Sequence, residues 1–131
     1  MFFVIGAVLA GLGALIHVYI FVLESVRWTH TSTRRIFGVA TEADARTMKQ
    51  LAFNQGFYNL FLAILVVIGV VVALGSGVWF VVGWALTLAG VGMMLAAALV
   101  LVLSDRTKLR AATVQGLLPL LAVVALVVAV I

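Results

Sequence analysis

The chain has 131 residues, of which 66% are hydrophobic and 9% charged, with a formal net charge of +4 and a mean hydropathy of +1.37. Soluble globular domains carry about 25% charged residues, so an ordinary water-soluble fold is excluded, and the positive balance is read as a membrane-topology signal rather than a nucleic-acid patch. With no cysteine and only two histidines, the sequence excludes a disulfide framework and thiolate chemistry; no cofactor and no metal site is expected.

The first predicted element is the apolar stretch Phe2 to Val26, longer than the roughly 20 residues that cross a hydrocarbon core of about 30 Å. No basic segment precedes it and its apolar run is too long for a signal peptide, so it is read as a retained helix. At 100° per residue, Gly6, Ala10, Gly13, Ala14, His17, Phe21 and Glu24 share a stripe about 80° wide. Small residues let helices approach closely in lipid, and polar groups want the same protected face. This stripe is therefore expected to point inward, with His17 about 10 Å deeper than Glu24.

A polar connector from about Trp28 to Ala40 follows, and it is expected to be a solvated loop. Thr41-Glu42-Ala43-Asp44 then resembles a capping box with Asp in place of Glu. The second membrane helix therefore starts near residue 42, two turns before its apolar stretch, Lys49 to Leu74, enters lipid. Near its beginning it carries Asn54, Gln55, Tyr58 and Asn59 over an arc of about 140°, too broad for contact with one neighbour.

Gly75-Ser76-Gly77 is a tight turn. The third apolar stretch, Val78 to Leu103, repeats Gly83, Gly90 and Ala97 with Thr87 and Met94 between them, as expected for close packing. The fourth, Ala111 to Ile131, contains Gln115, Gly116 and the single proline, Pro119, which withdraws the helical hydrogen bond from the Gln115 carbonyl. Trp28, Trp79 and Trp84 fall near helix ends, as interfacial anchors do. No duplication relates the two halves, and Gly11-Leu12-Gly13 inside a membrane helix is packing rather than half a nucleotide fingerprint.

A continuous apolar span must satisfy its backbone internally, so all four stretches are helices. The predicted fold is an all-α membrane protein: a single domain over residues 1–131, a four-transmembrane-helix bundle with helices at about 2–26, 42–74, 78–103 and 107–131. Arg27, Arg34, Arg35, Arg46 and Lys49 surround the first connection, and Arg106, Lys108 and Arg110 the third. By the positive-inside rule both are cytoplasmic and the N and C termini lie outside, in a multi-pass protein of a bacterial plasma (inner) membrane.

The candidate site is a polar cluster of His17, Glu24, Trp28, Asn54, Gln55, Tyr58, Asn59 and Gln115, all within about 5 to 15 Å of the cytoplasmic ends of their helices apart from Glu24 and Trp28 nearer that boundary. Three readings stay open. One is binding or transport of a small molecule or lipid in a polar inner-leaflet pocket; another is a structural or accessory subunit whose hydrogen bonds fix helix pairing. The third is a lipid-modifying enzyme using His17 and Glu24 as acid and base, which their seven-residue spacing does not by itself supply. The favoured expectation is the binding or transport protein rather than the enzyme, with the lipid bilayer, a small-molecule or lipid ligand and a second copy of the chain as its partners.

The run His17-Val18-Tyr19-Ile20-Phe21-Val22-Leu23-Glu24 with Trp28, then Phe37-Gly38, then Asn54-Gln55-Gly56-Phe57-Tyr58-Asn59-Leu60-Phe61-Leu62-Ala63, then Gln115-Gly116 and Pro119, resembles a small bacterial membrane family known as domain of unknown function 1304. The resemblance spans nearly the whole chain. It implies four membrane helices and no established activity.

Overall fold

The computed structural model describes residues 1–130. Their elements are α1 (Phe2–Phe21), a π-helical turn (Val22–Val26), α2 (Thr31–Phe37), α3 (Glu42–Val72), α4 (Val78–Ser104), a 3-10 turn (Arg106–Lys108) and α5 (Leu109–Val128), with no strand among the described residues. The all-α class read from the sequence is the class observed. Four helical segments, Phe2–Val26, Glu42–Val72, Val78–Ser104 and Arg106–Val128, are long and apolar enough to cross a membrane.

The start of α3 follows from its capping box. The Asp44 backbone N–H donates to Thr41 Oγ1 at 3.0 Å, and the Thr41 hydroxyl donates to Asp44 Oδ2 at 2.7 Å, so two polar groups at the helix start satisfy one another. Asp serves in place of Glu because the threonine hydroxyl meets its shorter carboxylate directly.

The connector before α3 differs from expectation. It is not a plain loop, because residues 31–37 form the short helix α2. Gly38 ends that helix in the left-handed region, φ 72°, while its N–H donates to Arg35 O at 3.4 Å and that of Val39 to Arg34 O at 2.9 Å. This is a Schellman closure, which Phe37-Gly38 permits because glycine carries no Cβ penalty there. Apolar contact fixes the rest: Trp28, Ala45 and Ala52 form a small core against which Phe37 and Val39 pack.

The chain forms two compact units, one of residues Met1–Ile16 together with Leu62 onward, the other His17–Phe61. The first is held by small side chains. Ala10, Ala14, Ala63, Val66, Met94 and Leu126 lie at its centre, each less than 4% exposed. A Cβ on Gly83 would collide with the backbone of Ala73, and one on Gly69 would stand 2.6 Å from the backbone nitrogen of Thr87. The two helices thus touch backbone to backbone, where dispersion between many close atoms replaces the hydrophobic drive that lipid does not supply.

The inward stripe of α4 departs from the seven-residue repeat at its end. Gly83, Thr87, Gly90 and Met94 are buried, but Ala98 rather than Ala97 continues the line. A straight helix with 3.6 residues per turn drifts away from a strict heptad. On α5, Pro119 is buried and its ring lies 3.5 Å from where a Cβ on Gly13 would stand. Trp84 Nε1 donates to Leu126 O at 3.0 Å, while Trp79 is exposed.

Candidate functional site

The second unit contains most of the polar residues singled out from the sequence, and it is built around a break in helical periodicity. At the end of α1 the Arg27 N–H bonds to Val22 O at 2.9 Å, five residues back. The wider turn inserts an extra residue into the register, so Glu24 and Ser25 both swing towards α3. Turns of this type are rare and recur at functional sites.

Gly56 receives them. A Cβ there would strike Ser25 Oγ and would lie 3.0 Å from Ser25 N and 3.1 Å from Glu24 Cβ. Only a residue without a side chain lets α3 come this close. Ser25 Oγ donates to Phe53 O at 2.9 Å, one turn before Gly56, and Asn59 Nδ2 donates to Glu24 Oε2 at 3.0 Å and to Gln55 O at 3.0 Å. Phe21 meets Phe57 edge to face at 5.1 Å between centroids, an arrangement that ring quadrupoles favour. The Glu24 carboxyl is thus held by the Asn59 amide.

Trp28 closes the end of this seam. It is buried, and its Nε1 donates to Ala45 O at 2.8 Å while its ring packs on Phe37 at 5.3 Å. Trp28 therefore acts as an internal pin and not as an interfacial anchor. His17 stands on α1 below the seam and is 1% exposed.

Asn54, Gln55 and Tyr58 take a different position. They lie on the exposed side of α3, although the Gln55 backbone carbonyl serves Asn59. Asn54 and Tyr58 join Phe53, Phe57 and Phe61 in lining an open groove of about 270 Å³. The three rings run down one flank of α3, with neighbouring centroids 4.9 and 6.0 Å apart. Phe57 belongs to both features, one edge on Phe21 and one on the groove. Gln115 lies in the other unit, half-buried on α5 one turn before Pro119.

Ser25 and Phe53 carry no mark in the sequence, and Gly56, Phe57 and Phe61 stand out there only as part of the run that carries the family resemblance. Gly56 stands between Gln55 and Phe57 in the most polar stretch of a membrane helix, which was the available signal for a close approach. The π turn had none, since Val22 to Val26 reads as ordinary helix.

Four helical segments long and apolar enough to cross a membrane define the class, an all-α protein of the membrane type. The family described as "Protein of unknown function (DUF1304)" matches residues 11–127, and the chain belongs to that family. No curated protein and no solved structure matches it.

Proposed function

We propose that this protein binds an amphiphile, a membrane lipid or a small molecule with similar polarity, in the α3 groove within the bacterial plasma membrane. The carrying observation is the pairing of exposed Asn54 and Tyr58 with three phenylalanine rings in one concavity. The 31 residues of α3 exceed what a bilayer requires by about half, and a span of about 20 residues counted back from Val72 begins at Phe53. Asn54 and Tyr58 then sit just inside the headgroup boundary, where an amide and a phenol can meet ester or hydroxyl oxygens while the rings take an acyl chain. Binding sites of this kind combine an apolar lining with a few convergent polar groups. The basic residues flanking the first and third connections support a cytoplasmic position for this end of α3.

The experiment is native mass spectrometry of the detergent-purified protein. Retained lipid on the native chain, lost in the Asn54→Leu, Phe57→Ala double variant at unchanged helicity, supports the reading. A chain that releases no bound molecule from mild detergent sinks it.

A second reading draws on another observation. The Asn59 to Glu24 bond and the Gly56 contact are what an accessory subunit needs to hold its helices in one pairing, since hydrogen bonds in membranes contribute about 0.6 to 2 kcal/mol each. It predicts that substitutions at Asn59 change stability alone.

A further inference from the structure

Beyond the groove, towards the beginning of α3, the same flank carries exposed polar residues in a definite chemical order. At 100° per residue Arg46, Gln50, Phe53, Asn54, Phe57 and Phe61 fall within an arc of about 100°. Going from Asn54 towards the helix start, Gln50 is about 6 Å away and Arg46 about 12 Å, with Lys49 beside them; Phe61 lies about 10 Å in the opposite direction. Arg46, Lys49, Gln50 and Asn54 are all exposed. One flank of one helix therefore presents cations, then neutral amides, then aromatic rings.

We propose that the groove is a seat for an acidic glycerophospholipid. Its phosphate meets Arg46 and Lys49, its ester oxygens meet Gln50 and Asn54, and an acyl chain lies along Phe57 and Phe61. This rests on the amphiphile reading above and adds the headgroup class. The occupant is assigned by charge complementarity: the two cations stand at the headgroup end, and no charged residue lines the groove itself. Two carboxylates stand at this end of α3: Asp44 accepts from the Thr41 hydroxyl, and Glu42 forms a pair with Arg46 through Oε1 at 2.6 and 3.1 Å. That pair is solvent-exposed on both sides, and exposed pairs of this kind contribute little, so a phosphate can share the guanidinium. Arginine suits the task because its planar fork presents several donors to a phosphate at once.

The test places the native protein in micelles doped with equal amounts of phosphatidylglycerol and phosphatidylcholine, and counts retained lipids by native mass spectrometry. Each basic residue close to an anionic lipid surface favours it by about fivefold. The native chain is expected to retain phosphatidylglycerol in preference, Arg46→Gln to lower that preference by about fivefold, and Arg46→Gln with Lys49→Gln to abolish it. Arg46→Lys keeps the charge and most of the preference, which separates loss of charge from a damaged fold. Equal retention of both lipids by the native chain overturns the headgroup assignment while leaving the amphiphile reading intact. A preference that survives the double substitution overturns it too. Absence of any retained lipid defeats both, as does a dimer that Asn54→Leu dissociates, because then a second copy occupies the groove.

Discussion

Replacing Gly56 with alanine adds one methyl group at the tightest contact of the second unit. The new Cβ overlaps Ser25 Oγ, and it stands 3.0 Å from Ser25 N and 3.1 Å from Glu24 Cβ. The hydroxyl can rotate away, at the loss of its bond to Phe53 O, about 0.6 kcal/mol by membrane averages. The backbone nitrogen cannot move without disturbing the π turn, and overpacking of this kind costs about 1 to 3 kcal/mol. Against this, alanine is favoured over glycine inside a helix by roughly 0.8 to 1 kcal/mol. The net expectation is destabilisation by about 0.6 to 2.8 kcal/mol. Gly11→Ala is the control, because a Cβ there meets nothing within 4 Å and only the propensity gain remains. Reversible unfolding of both variants in mixed detergent micelles, followed by circular dichroism, measures the difference. Adding Ser25→Ala to Gly56→Ala should recover part of the loss, since it removes the nearest atom. If Gly56→Ala proves as stable as Gly11→Ala, the close approach of α3 to the π turn is wrong.

Three further outcomes follow from single contacts. Asn59→Leu removes the donor to Glu24 and should cost about 0.6 to 2 kcal/mol in the same unfolding assay, whereas Glu24→Gln retains an acceptor and should cost less; the reverse order contradicts the bond. Trp28→Phe keeps the ring against Phe37 but deletes the Nε1–H bond to Ala45 O, a loss of about 0.5 to 1.5 kcal/mol that should appear as faster proteolysis within residues 28–41. The Asp105 carboxyl, between two spans, is held below its ordinary value first by the Thr107 hydroxyl and then by the Thr107 backbone N–H. A depressed folded value means that this contribution is present above the ordinary aspartate range and fades as pH falls through the lower folded value. Thr107→Ala should raise the Asp105 titration midpoint in carboxyl-carbon NMR, and an unchanged midpoint refutes the hydroxyl as the main cause.

The sequence carried the architecture because lipid leaves few choices: an apolar run of 20 residues must close its own hydrogen bonds, and only a helix does so. It also carried the inward stripe of α1, since Gly6, Ala10, Gly13, Ala14 and His17 are all buried. Glu24 was legible as polar but not as the partner of Asn59, because uniform steps of 100° cannot anticipate a π turn. Asn54 and Tyr58 share a face with Phe57 and Phe61, and a periodicity argument does not say whether such a face looks inward or outward. Their exposure is decided by Gly56 and Asn59, about a third of a turn or more around the helix, which take the contact with the π turn. The short helix α2 was missed because its closure depends on Gly38 adopting positive φ and on Trp28 providing a surface for Phe37. Seven residues of threonine, serine and arginine with two apolar side chains hold no amphipathic period long enough to see.

Photo-crosslinking tests the central claim most directly. The protein is reconstituted in vesicles containing a phospholipid with a diazirine halfway along one acyl chain, irradiated, digested and mapped by mass spectrometry. Label concentrated on Phe57 and Phe61, and reduced by Asn54→Leu, is the result expected if α3 holds a lipid in place. Label spread evenly over the exposed faces of all four long helices, and indifferent to that substitution, would mean that α3 merely touches the bilayer as any other helix does.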